Sequence, residues 1–497
     1  MANGDLAQIA ALVGAAGCVL VLAGRGRLPL FCGFGLLVAA ETLLAVALVP
    51  RSDVSRLGSP VNAAGLVFAT LAIVAFAAGL RRFVAVVPVV LLVAAPFRLP
   101  VDLGRQHAFL LLPLYAVLAS ACLALLFRAS RGPVPDVPLL LAVPAAAFVA
   151  LDAVSLLWAQ DLEQGSIELT FFIFPFAALL AVVARSPIAS WLPRVLAVVV
   201  VAEACVFAVI GLWQEWTHTV FFAQDLRVAN TYASFFRVTS VFKDPSIYGR
   251  HLVLGIVLVI VALWLAKVRA VFAALLVALI FAGLYFSYSQ SSMAVLFAVT
   301  FVASVVLADR SSRLVILVAA AAAVIAAGAF AATVAHDHSL RHATSGRSRL
   351  VEITATVIRN HPVVGVGIGS QPAASRAEAK TRLGARKDAS HTTPLTVAAE
   401  LGAVGVLAYG ALLAAAARLL QLAIRRNRAF GLGLAAAFLT LFLHSLFYSG
   451  FFEDPILWGT LGLAAAPEPD PAAVLAADLI PRPPLPAEPA PEVLEHP

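Results

Sequence analysis

"HLVLGIVLVIVALWLAKVR", residues 251–269, decides the fold. From Leu252 to Ala266 no side chain carries a charge, and Lys267 and Arg269 follow at once. Extended back to Tyr248, the run makes a helix about 28 Å long, close to the ~30 Å hydrocarbon core of a bilayer. Comparable runs recur near 6–24, 29–50, 61–80, 83–97, 108–127, 138–157, 167–184, 195–213, 248–266, 270–286, 291–308, 314–334, 395–417 and 430–450. A shorter piece, 455–466, reads as a last span or a re-entrant end. With 62% hydrophobic and 12% charged residues among 497, the chain cannot cover a water-facing surface. The expected fold is all-α, a polytopic transmembrane bundle of about 12–15 spans.

Lysine and arginine alternate between the short loops. One set holds Arg25, Arg27, Arg81, Arg82, Arg128, Arg131, Arg185, Arg194, Lys267, Arg269, Arg310, Arg313, Arg418, Arg425, Arg426 and Arg428; the other holds only Arg51, Arg56, Arg98 and Arg105. Because basic loops stay in the cytoplasm, this asymmetry places the N-terminus and the long polar loops 214–247 and 335–394 outside it. The formal charge of +7 is spread in pairs between apolar runs, which argues for topology signals rather than nucleic-acid binding. Cys18, Cys32, Cys122 and Cys205 all lie in apolar segments without metal-like spacing, so they read as core residues. The first apolar run follows Met1 with no Lys or Arg before it and reads as a retained helix, not a cleaved signal.

The organisation expected is an N-terminal set of helices (1–135), a membrane domain that includes both outside loops (136–466), and a disordered Pro/Ala/Glu-rich tail (467–497). The second outside loop is too long for a connector. Within it, Leu350, Ile353, Thr354, Val357 and Ile358 recur at helical spacing until Pro362 ends the run, predicting an amphipathic helix on the membrane surface or over a cavity.

Three places carry candidate chemistry. In "RVTSVFKDPSIYGR", residues 237–250, Arg237, Lys243 and Arg250 cluster beside the following helix, interleaved with aromatics. Interfacial anchoring is the simpler reading of such a cluster; phosphate binding is the sharper one, because guanidinium offers a fixed fork of donors. Arg347 and Arg349 open the amphipathic helix, and His391 stands at the far end of the loop. A neutral imidazole there can accept a proton from an attacking hydroxyl, although an isolated loop histidine is more often only solvated.

The order of these segments resembles the O-antigen ligase and polymerase family of envelope glycosyltransferases. The landmarks are "SLLWAQD" (155–161), "RVTSVFKDPSIYG", Arg347, "HPVVGVGIGS" (361–370), His391 and "ELGAVG" (400–405), spread over roughly 150–460. Departures are Thr392 where the family has Asn, Ser289–Gln290 in place of a mid-chain Ser–Arg, and the basic stretch 371–390. The resemblance implies a GT-C-like membrane bundle with a large extracytoplasmic loop over a lipid-facing cavity. It implies glycan transfer or polymerisation from an undecaprenyl-diphosphate-linked donor to a glycan or lipid hydroxyl acceptor, in the cytoplasmic membrane, without cofactor or metal. Arg237 and Arg347 would hold the diphosphate, with Arg349, Lys243 and Arg250 in support, and His391 would serve the acceptor.

Other patterns point elsewhere only weakly. His336, Asp337, His338 and His342 fit no closed metal site. "GVGIGS" has no strand before it and reads as a tight turn over the membrane, not a dinucleotide fingerprint. Glu41, Asp152, Glu203 and His444 fall within or near spans, where an acid costs roughly 2.5–3.5 kcal/mol at a helix centre, so helix-to-helix hydrogen bonds are expected. A transporter should show internal repeats with broken helices, which the chain lacks. A non-catalytic envelope-assembly protein would leave the two arginines and the histidine replaceable.

Overall fold

The computed structural model describes residues 4–49, 60–103, 106–232, 235–265, 267–307, 347–379, 390 and 392–467. The predicted span at 314–334, the histidine group at 336–342 and the tail from 468 lie outside them. The N-terminal helices are α1 (Gly4–Ala23), α2 (Arg27–Leu48), α3 (Pro60–Arg82) and α4 (Val87–Ala94), followed by α5 (Leu112–Arg131), α6 (Leu139–Val154), α7 (Leu162–Glu168), α8 (Phe174–Ala184) and α9 (Leu192–Thr217). A short α10 (Gln224–Tyr232) precedes α11 (Pro245–Trp264), α12 (Ala270–Ser287) and α13 (Gln290–Leu307). Then come α14 (Arg347–Asn360), α15 (Gln371–Ala379), α16 (Thr393–Arg426), α17 (Arg428–Ser445) and α18 (Pro455–Ala465).

Eleven helical stretches among the described residues are long and apolar enough to cross a bilayer. The chain is a multi-pass membrane protein. α18 has 11 residues, about 16 Å at helical rise, which is too short to cross by itself. The predicted loop between α4 and α5 folds instead into a small antiparallel hairpin, β1 (Leu99–Leu103) and β2 (Gln106–Leu110), with Leu99 opposite Leu110.

Two apolar clusters form the bundle. The larger gathers α1, α2, α5, α6, α8 and α16 to α18; the smaller centres on α11, which packs against α9, α12, α13 and α17. α3 packs on α5 and exposes nearly all its apolar side chains, as a lipid-facing helix must. Polar residues start the helices: Asp161, Asp244, Asn427 and Asp454 each accept a backbone N–H from the first turn of the helix that follows. α7 and α8 join through a widened turn, Leu169–Ile173, just before Pro175. Pro175 has no N–H for the carbonyl of Phe171, and the Tyr115 hydroxyl donates to that carbonyl at 2.6 Å.

Candidate active site

The first long polar loop, 214–247, is held from two sides. The buried side-chain amide of Gln214, on α9, accepts from the backbone N–H of Thr239 (3.1 Å) and Ser240 (2.7 Å) and donates to the Ser240 carbonyl (2.8 Å). Ser240 sits at φ 53°, a left-handed conformation this clamp stabilises. Asn230, on α10, exchanges two hydrogen bonds with the backbone of Arg237 (3.1 and 3.0 Å). The loop is therefore built, not draped.

The Arg237 guanidinium donates to the carbonyls of Ser287 (3.3 Å) and Tyr288 (3.5 Å), at the negative end of α12. Those contacts use two of its five N–H donors and leave others to face the cavity. Burial lowers its pKa, and the neighbouring Asp244 acts in the opposite sense, so it remains a cation.

That cavity has a volume of about 480 Å³. Its charged wall is Arg98, Arg237, Lys243, Asp244, Arg250 and Glu453; Ala223, Leu226, Phe242 and Ile247 supply an apolar wall, and Tyr448 adds a hydroxyl. Burial, with Asp244 and Glu453 nearby, pushes the Tyr448 phenol upward, so it stays protonated and can donate. Behind the wall, Arg250 pairs with Asp454 at 2.9 Å, and Asp454 also caps α18 through the N–H of Ile456 at 2.8 Å.

A second construction joins three of the landmark segments. The glycine turn 361–370 lies between the end of α6 and a break in α16. On one side Val366 N–H donates to Ala399 O (3.0 Å), Gly367 N–H to Glu400 O (2.8 Å), and Ala403 N–H to Pro362 O (2.9 Å). On the other, Gln160 N–H donates to Val366 O (3.1 Å), Ile368 N–H to the Ser155 hydroxyl (2.9 Å), and the Trp158 indole to Val364 O (3.1 Å). The fit needs glycine: Gly367 has φ 89°, and a Cβ there would stand 2.4 Å from the Ala159 Cα. Gly402, at φ 61°, breaks α16 against Val363. The predicted turn over the membrane is thus a tertiary staple.

Glu400 extends this staple to the second long polar loop. Its carboxylate accepts the Gln371 N–H (3.0 Å), and the Gln371 side chain accepts from Ser390 N–H (3.1 Å) and donates to the hydroxyls of Thr354 (3.2 Å) and Ser375 (2.7 Å). Thr354 and Val357 form the buried face of the predicted amphipathic helix, α14, which packs on α15 and α16.

Arg237, Lys243 and Arg250 meet in the cavity. Arg349 is exposed at the start of α14 and does not line it. Arg347 begins α14, but its side chain, like the whole of His391, falls outside the described residues. The aromatics of the first loop divide: Phe242 and Tyr248 are buried in the second cluster, whereas Tyr232 is 87% exposed, as an interfacial anchor would be. Arg98, Tyr448, Glu453 and Asp454 were not singled out by sequence; the available signals were Arg98 in a loop set otherwise poor in basic residues and the Glu–Asp–Pro abutting two apolar runs. Of the acids and histidine expected to bond between helices, His444 reaches Ser292 (3.4 Å). Glu41 and Glu203 each keep a buried carboxylate oxygen without a partner among the described residues.

Residues 254–410 match the family model described as O-antigen ligase. The matched stretch, about a third of the chain, is similar to an O-antigen ligase domain. Such a domain is of the glycosyltransferase type that serves polysaccharide assembly. No curated protein matches the chain. The matched stretch contains the glycine turn, the break in α16 and the second half of α11. The charged residues of the cavity lie on either side of it, at 98, 237–250 and 453.

Proposed function

We propose that the protein transfers or polymerises a glycan from an undecaprenyl-diphosphate-linked donor onto a hydroxyl acceptor, at the extracytoplasmic face of the cytoplasmic membrane. The observation that carries this reading is the convergence of Arg237, Lys243 and Arg250 on one cavity with an apolar wall. A lipid diphosphate needs both properties: fixed cations for its phosphates and apolar surface for the start of its chain.

In the proposed reaction the acceptor oxygen bonds to the anomeric carbon as the bond from that carbon to the phosphate oxygen breaks. The diphosphate departs on its lipid. Cations fixed in the cavity stabilise the charge that develops on it, and no metal is needed for that task. Arg237 and Arg347 hold the diphosphate, Lys243 and Arg250 support them, and the proton of the acceptor passes to the His391 imidazole. The membrane domain 136–466 is the catalytic unit in this reading.

The test is direct. Purified protein in nanodiscs is mixed with lipid-diphosphate oligosaccharide and candidate acceptors, and release of lipid diphosphate is followed. Release that is lost in His391→Ala and Arg237→Ala, both still inserted, supports the reading. Donor left intact with every acceptor by the wild type refutes it.

A further inference from the structure

We infer that Arg98, presented by the hairpin between α4 and α5, is a further ligand of the donor's diphosphate, so that the anion site draws on the N-terminal helices as well as on the membrane domain. The inference rests on the functional reading above.

The charges around the cavity carry the argument. Four cations, Arg98, Arg237, Lys243 and Arg250, meet three carboxylates, Asp244, Glu453 and Asp454. With all of them ionised, one net positive charge remains. A diphosphate diester brings a negative charge on each phosphate. Among the described residues, removing Arg98 would leave three cations against three carboxylates, with no net positive charge to meet the diphosphate.

The cations are also unequal. Arg250 is buried and already paired with Asp454 at 2.9 Å, and Arg237 gives two donors to backbone carbonyls. Among the described residues no carboxylate lies within ion-pair distance of Arg98. Among the described residues no group accepts a hydrogen bond from its fork, whose planar geometry suits phosphate.

Arg98 is also held in place. It directly precedes Leu99, whose partner across the hairpin is Leu110, and Leu110 and Leu111 are buried at the start of α5. On the other side, Phe97 N–H bonds to Ala94 O at the end of α4. The backbone on both sides is fixed, so little backbone ordering remains to be done when an anion binds.

Inorganic pyrophosphate is the probe, titrated into the full-length protein in nanodiscs, with donor turnover measured on the same samples. Arg98→Gln is expected to weaken pyrophosphate binding by about ten-fold or more and to raise KM for the donor more than it lowers kcat. Arg98→Lys, which keeps charge but loses the fork, should fall between the two. If Arg98→Gln does not insert, the intermediate affinity of Arg98→Lys decides. Wild-type binding weakened by Arg237→Gln but unchanged, within two-fold, by either Arg98 variant overturns this inference alone. A wild type that neither binds pyrophosphate nor releases lipid diphosphate overturns the functional reading with it.

Discussion

The Arg250 guanidinium stands 2.9 Å from the Asp454 carboxylate, with both side chains almost wholly buried behind the cavity wall. The pair joins the first turns of α11 to the start of α18 and keeps one cavity cation from pointing freely at a ligand. Removing one partner of a buried pair leaves an uncompensated charge, at a cost of about 3–5 kcal/mol. Asp454→Ala should therefore lower thermal stability in detergent markedly. Asp454→Asn, which still accepts from Ile456 N–H, should lower it less. Equal melting temperatures for Asp454→Ala and wild type would show that the pair is dispensable.

The glycine staple makes a sharper stability prediction. Gly367→Ala places a methyl group against the backbone of Ala159 in a left-handed conformation. The cost should be on the order of 2–3 kcal/mol, read as an earlier thermal transition. Gly410→Ala is the contrast: it lies within α16 with nothing within 4 Å of its added carbon, so it should be neutral or slightly stabilising. Similar melting for the two variants would mean that the staple does not restrain the fold.

Gln371 links α14, the first residue of which is Arg347, to the backbone immediately before His391. Gln371→Leu strips the buried Ser390 N–H and the Thr354 hydroxyl of that side chain. Transfer should drop in kcat by about ten-fold or more, because misplacing reacting groups by an ångström has effects of that size. KM for the donor should change little. A variant with unchanged kcat would detach this network from the chemistry.

Burial pushes the Glu453 carboxyl above its ordinary value, while Arg98 and Arg250 act against that and Asp454 adds to it. Among the described residues, Asp244, Lys243, Arg237 and Tyr448 are the other charged and titratable groups of the lining. The ionised carboxylate repels a diphosphate and the protonated one does not. Pyrophosphate affinity should thus rise as pH falls through the Glu453 titration, over and above the ligand's own protonation. Glu453→Gln should bind more tightly at neutral pH and lack that component. Parallel pH profiles for the two proteins would exclude Glu453 as its source.

Much of the bundle was legible because hydrocarbon imposes a simple rule: a run such as 248–266 has to be a helix of spanning length. The periodicity of Leu350, Ile353 and Val357 was equally plain, since a helix face repeats locally. The site was legible only in part. Arg237, Lys243 and Arg250 lie within 14 residues, so one segment displays them together. Arg98 and Glu453 reach the same cavity from opposite ends of the chain, and no local pattern encodes that meeting. The glycines show the same limit. Their freedom to adopt positive φ signals a turn, whereas the Ser155–Asp161 and Glu400–Ala403 backbones they interlock with are set by the fold.

In the turn from Phe452 to Pro455 each position has its own task. Phe452 stacks on Phe148 at 4.3 Å, Glu453 faces the cavity, Asp454 meets Arg250, and Pro455 opens α18. Such a tape of single assignments has no slack. Inserting or deleting one residue would hand every assignment to the wrong side chain, so the length of this turn is constrained more tightly than any one residue in it. Drift in the family should change its letters before it changes their number.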